Sequence, residues 1–182
     1  MKNMMVIVVV VFSFFSLNAQ EQNAIYGGLG SAKKVGGDGD QYLWGRSIEL
    51  GLRLGMTPTT SFLVLVHHSS LFFDPNKFPN SIQEPTHSVT ATIGNFRVRF
   101  FEKGITPFFT IGAGLSVENI AGTNWDGSSV EESKISAALN GGIGVDIPLS
   151  TTIDLSIMGG LIHSRAYETT FIPVTIGLSF YY

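Results

Sequence analysis

The stretch Val174-Thr-Ile-Gly-Leu-Ser-Phe-Tyr-Tyr182 constrains the fold more than any other. In an extended chain, Val174, Ile176, Leu178, Phe180 and Tyr182 fall on one face and Thr175, Gly177 and Ser179 on the other. Period two is the signature of a strand with two different environments, and no helix satisfies it. The pattern recurs. From Tyr42 to Met56, one face carries Tyr42, Trp44, Ile48, Leu50, Leu52, Leu54 and Met56, with Arg46 as the exception. The other carries Leu43, Gly45, Ser47, Glu49, Gly51, Arg53 and Gly55. Phe108 to Val117, Lys134 to Ile147 and Ile153 to Leu161 alternate in the same way. Ser61 to Val66 is apolar on both faces. Val89 to Phe100 changes phase near Gly94-Asn95, which predicts a bulge there. A Gly-rich strand near Ala24 to Ala32 and a last one from Phe171 to Tyr182 bring the expected number to eight.

The connections alternate too. Thr57-Pro58-Thr59, Glu102 to Thr106 and Pro148-Leu149-Ser150 are short; Lys33 to Asp40, Leu71 to Pro85, Asn119 to Glu131 and Ser164 to Thr170 are longer and polar. Short turns on one side and long loops on the other, with both termini on the short side, describe an up-and-down barrel. Tyr42 and Trp44 are expected in an aromatic girdle at the long-loop end, and Phe100, Phe109 and Tyr182 in one at the other.

Alternation alone does not separate a membrane barrel from a secreted soluble ligand-binding barrel, because turning the wall inside out preserves it. The polar face separates them. A water-facing surface carries long charged side chains, whereas this one is mostly Gly, Ser, Thr and Asn. Only 14% of the residues are charged, against roughly 25% in an average soluble domain. Small residues suit the inside of an eight-stranded barrel, whose lumen is barely wide enough for side chains. The expected fold class is therefore all-β, an eight-stranded antiparallel transmembrane barrel over residues 20–182.

Residues 1–19 read as a cleaved signal peptide. Lys2 precedes an apolar run from Met4 to Phe15, broken only by Ser13, and Ala19 stands before the expected cut. The run is shorter than the roughly 20 residues a spanning helix needs. The chain has no cysteine, so disulfides and thiolate metal sites are excluded. A formal net charge of −3 without any Lys/Arg cluster gives no reason to expect a nucleic-acid partner. Asp38-Gly39-Asp40 supplies too few oxygens for calcium, and no metal or cofactor is expected.

Leader, eight alternating strands and a terminal aromatic strand together resemble the small outer-membrane β-barrels of Gram-negative bacteria, the OmpA/OmpX-type barrels. The resemblance covers essentially the whole mature chain. It implies an outer-membrane location, contact with outer-membrane lipid and lipopolysaccharide, and a monomer. It also implies that Val174, Ile176, Leu178, Phe180 and Tyr182 are read by the barrel-assembly machinery. An interior charge network of Glu49, Arg53, Glu118, Lys134, Asp146 and Asp154 is expected, paired so as to plug the lumen and not to open it.

One stretch could carry chemistry. In His67-His68-Ser69-Ser70 either register sets a histidine and a serine on the same face, the minimum for an activated hydroxyl. It resembles the His-x-Ser motif of outer-membrane lipid A 3-O-deacylases, with Ser70 standing where that family has Asn. That resemblance makes His67 base and Ser69 nucleophile, with Glu84 or Asp74 as orienter, at the outer end of the strand where acyl chains begin. The favoured expectation is a structural or surface-loop role without catalysis, the polar residues simply marking the membrane–water boundary.

Overall fold

The computed structural model describes residues 23–36, 39–74, 82–124 and 128–182, with backbone alone at 82–85, 123, 124 and 130. The expected leader, Asp38, residues 75–81 and Trp125 to Gly127 lie outside them. Eight strands follow one another: β1 Ala24–Val35, β2 Tyr42–Gly55, β3 Thr60–Phe73, β4 Ile82–Arg99, β5 Thr106–Asn124, β6 Ser129–Pro148, β7 Ile153–Ser164 and β8 Thr169–Tyr181. A 3₁₀ turn, Gly39–Gln41, precedes β2. Each strand pairs antiparallel with its neighbours, and β8 returns to β1 to close the barrel.

The terminal strand makes that closure. Ala24 pairs with Tyr181 and Val35 with Thr170, so β8 spans the full length of β1. Closure leaves β1 and β8 without a free sheet edge between them. The strands are staggered around the barrel. From Glu49, pairing through His67 and Ala91 arrives at Ser116 on β5. Going the other way, through Gly28, Gly177, Ser156 and Asp146, it arrives at Thr106. That offset tilts the strands and narrows the lumen to side-chain width.

The outer wall is apolar: Leu29 is 68% exposed, Leu115 62%, Ile143 72% and Ile176 56%. Phe100, Phe101 and Ile105 ring the end that holds the termini, and Leu43, Trp44 and Phe72 ring the other. Inside, Ala32, Tyr42, Leu71, Val89, Ala91, Ile93, Ile162 and Phe171 form one cluster toward the far end. Tyr26, Leu63 and Leu65 form a second, nearer the termini.

Two sequence expectations fail here. Tyr42 does not join the girdle: it is buried, because the β2–β3 register shifts between Leu43 and Arg46 and turns it inward. The bulge expected at Gly94-Asn95 does not exist, since β4 pairs with β5 without a break from Thr86 to Arg99. Val89, Ala91, Ile93, Asn95 and Arg97 all point inward. The inner wall changes from apolar to charged along its length, and that change resembles a change of phase.

One of the long polar loops is also largely strand. β5 runs to Asn124 and β6 starts at Ser129, so most of the Asn119–Glu131 segment is paired. Beyond the rim both faces are wet, so alternation fades while the backbone ladder continues.

Candidate functional site

The interior polar groups lie in three layers. Nearest the termini, Asp146 on β6 is fully buried and faces three arginines. Arg97 bonds its Oδ1, Arg99 Nε lies 3.5 Å from Oδ2 and Arg53 Nη1 4.0 Å from it. Ser156 donates to Asp146 Oδ1 at 2.6 Å. Asp154 accepts from Tyr181 OH at 2.6 Å and lies 3.7 Å from Arg99 Nη2. Arg53 donates to Tyr181 OH at 2.7 Å and to Ser179 at 3.0 Å. The Arg97 guanidinium stacks 3.5 Å above the Phe108 ring, which gives its charge a further partner. Strands β2, β4, β6, β7 and β8 are thereby tied across the lumen.

In the middle layer, Tyr26 OH donates to Glu49 Oε2 at 2.9 Å. Glu49 Oε1 lies 2.9 Å from His67 Nδ1, and His67 Nε2 lies 2.6 Å from Ser69 Oγ. Gly28 makes this possible, because a Cβ there would stand 2.6 Å from the Tyr26 hydroxyl. Carboxylate, imidazole and hydroxyl occur in the order of a nucleophile relay. With Nδ1–H donating to Glu49, Nε2 accepts a hydrogen bond from the Ser69 hydroxyl.

The orienting carboxylate is therefore Glu49 on the neighbouring strand. Asp74 lies past the end of β3, its N–H bonded to Gln41 O at 2.7 Å, and the Glu84 side chain lies outside the described residues. The pair is not at the outer end of its strand either, since β3 continues to Phe73. Glu49, His67 and Ser69 are each 1% exposed, and Ser69 lies beneath the apolar cluster that includes Tyr42, Leu71 and Phe171. A nucleophile needs room for substrate and donors for the oxyanion. Ser69 is 1% exposed, and the Glu49–His67–Ser69 chain clamps β2 to β3. On the outward face, His68 Nδ1 meets Thr90 Oγ1 at 2.9 Å.

The third layer lies below the far rim. His87 Nε2 is 3.1 Å from Glu118 Oε2, its Nδ1 is 3.1 Å from Tyr42 OH, and the Lys34 ammonium sits 4.6 Å from the centre of the Tyr42 ring. Lys134, expected in the interior network, is not part of it. It stands on β6 beyond the pairing with β7, which begins at Ala138, and its side chain is 45% exposed. Lys134 donates to Glu132 at 2.8 Å, and that bond holds the Glu132 carboxyl below its usual range.

Sequence reasoning missed Arg97 and Arg99 because the phase of β4 was misread. The hydrophobic phase flips at Asn95-Phe96 while the facing does not, so apolar alternation carried no signal for them. Tyr26 and Tyr181 were legible only as strand residues.

No protein-family model and no curated protein sequence matches the chain. Solved structures do. Neisserial surface protein A, NspA, has 15% identity over 87% of this chain and 96% of that one, with a TM-score of 0.65. Ail, the attachment invasion locus protein of Yersinia pestis, has 13% identity over 88% and 97%, with a TM-score of 0.61. The N-terminal β-barrel domain of Pseudomonas aeruginosa OprF has 14% identity over 90% and 100%, with a TM-score of 0.54. At these identities the likeness establishes the fold.

Proposed function

We propose that this chain, whose fold is that of the small eight-stranded outer-membrane barrels, is itself an outer-membrane protein that works through its surface and not through a pore. The observation that carries the reading is an apolar outer wall around a filled interior: Leu29 and Ile143 are 68% and 72% exposed while Ile93, Glu49 and His67 are at most 1%. A soluble barrel would have those values reversed. Residues 1–19 serve as a cleaved leader, and the terminal strand serves as the assembly signal. The protein acts as a monomer and binds no nucleic acid, metal or cofactor.

Its working part is the sheet raised above the rim. β5 and β6 stay paired up to Thr123 and Ser129, whereas β6 and β7 pair only from Ala138. Residues 129–136 thus have no ladder to β7 on the side away from β5; Tyr167 covers Lys134 there at 4.2 Å from the ring centre, and the backbone edge beside it is suited to an extended segment of a surface partner. Glu131, Glu132 and Lys134 on that edge keep it from pairing indiscriminately.

Folded protein that has not been boiled is expected to run differently from boiled protein in a detergent gel, and to fractionate with outer membranes. Identical mobilities together with a soluble periplasmic protein would overturn the reading. Ser69→Ala is expected to leave the acyl number of lipid A unchanged in cells. It should cost the barrel only about 1 kcal/mol, one hydrogen bond lost from the clamp. Mass spectrometry of lipid A decides this, and a gain in acyl number with the variant would restore the deacylase alternative.

A further inference from the structure

Arg46 breaks the apolar outer face of β2, and no interior contact explains it. It is exposed beside Trp44, near the rim away from the termini. Its neighbour across the ladder is Ser31 on β1, and two residues further along the same outward face stands Lys33. No carboxylate among the described residues pairs with either cation.

Descending the same wall, Leu29 pairs with Ile48 and Gly27 with Leu50. Gly27 leaves a dent there. A groove of about 480 Å³ opens over it, walled by Leu29, Ile48, Leu50, Ile176 and Leu178. A Cβ on Gly27 would meet only Leu50 Cδ2, at 3.8 Å, so the space is open toward the outside. From Gly27 to Ser31 is four residues of strand, about 13 Å at the usual rise. That is within the depth of one leaflet, half of a hydrocarbon core about 30 Å thick.

We propose that this outer face of β1 and β2 binds one anionic, acyl-chain-bearing lipid of the outer leaflet, with a chain in the Gly27 groove and its phosphate between Arg46 and Lys33. The chemistry matches at both ends. A guanidinium presents paired donors to phosphate oxygens, Trp44 sits where an amphipathic ring prefers the headgroup level, and the groove is walled mainly by aliphatic side chains, with Glu49 at its floor 1% exposed. The cations lie above the groove on the same face, so one molecule reaches both. The inference rests on the outer-membrane reading and adds the class of lipid and its site.

The test uses the folded full barrel in detergent, with the boiled and unboiled gel shift as a check on folding. Retention of phosphatidylglycerol and phosphatidylcholine with the same acyl chains is read by native mass spectrometry. The wild-type protein is expected to retain phosphatidylglycerol about fivefold better, the scale of a partly solvated charge contact. Lys33→Gln with Arg46→Gln should bring the two lipids to equal retention. Gly27→Leu should reduce both together while leaving their ratio unchanged. If the gel shift is present but wild-type and Lys33→Gln/Arg46→Gln proteins show the same ratio, the lipid site is wrong and the barrel reading stands. If Gly27→Leu does not fold, the paired cation variant still decides. A missing gel shift in the wild-type protein overturns both readings.

Discussion

Asp146→Asn is expected to destabilise the folded barrel by about 3–5 kcal/mol, the usual cost of removing one partner from a buried ion network. Asp146 is fully buried and faces Arg53, Arg97 and Arg99, which leaves Asp154 as the other carboxylate in that layer. Asparagine keeps the shape and one acceptor oxygen, so Ser156 can still donate. It removes the anion that balances the guanidiniums. Arg97 suffers most, being 1% exposed and bonded directly to Asp146. Urea unfolding of the protein in lipid vesicles measures the loss. Adding Arg97→Met to Asp146→Asn is expected to recover part of it, because the uncompensated cation is then gone. A single variant within 1 kcal/mol of wild type would show that water or another group neutralises the cluster.

Deletion of residues 180–182 is expected to abolish the folded barrel, with no gel-shifted form and no surface-exposed protein. Phe180 pairs with Ile25 on β1 and with Ile153 on β7, and Tyr181 pairs with Ala24. Their loss opens the seam at the end where closure holds both strands. Tyr181 also bonds Arg53 and Asp154, so the charge layer loses one of its links between β2 and β7. An exposed ladder edge in hydrocarbon costs several kcal/mol for each unsatisfied group, more than a marginally stable domain holds in reserve. Wild-type amounts of gel-shifted truncated protein at the cell surface would overturn both the seam argument and the assembly role of the terminal strand.

The site was less legible than the wall. Glu49, Arg53, Asp146 and Asp154 could be assigned to the inner face because each falls on the small-residue side of a clean alternation. Arg97 and His87 could not, because β4 lines an apolar layer with Val89 to Ile93 and a charged layer with Arg97 on one face. A rule that equates polar with inward fails on a wall whose lining changes with depth. Lys134 failed for the opposite reason. Its parity matches the lumen, but β6 rises past the last pairing with β7, where inward parity leads to water. Tyr42 needed the irregular register between Leu43 and Arg46, which no alternation count reveals.

By itself the sequence determined the number of strands and Val174 to Tyr182 as the last of them, because period two depends only on the local geometry of an extended chain; the small, sparsely charged polar face then set the facing of the wall. Only the tertiary structure decided which inward residues meet. The β2–β3 register places Glu49 beside His67, whereas Asp146 reaches Arg97 across β5 through the stagger of the strands. Stagger is a property of the closed ring, summed over every pairing, and no single strand carries it.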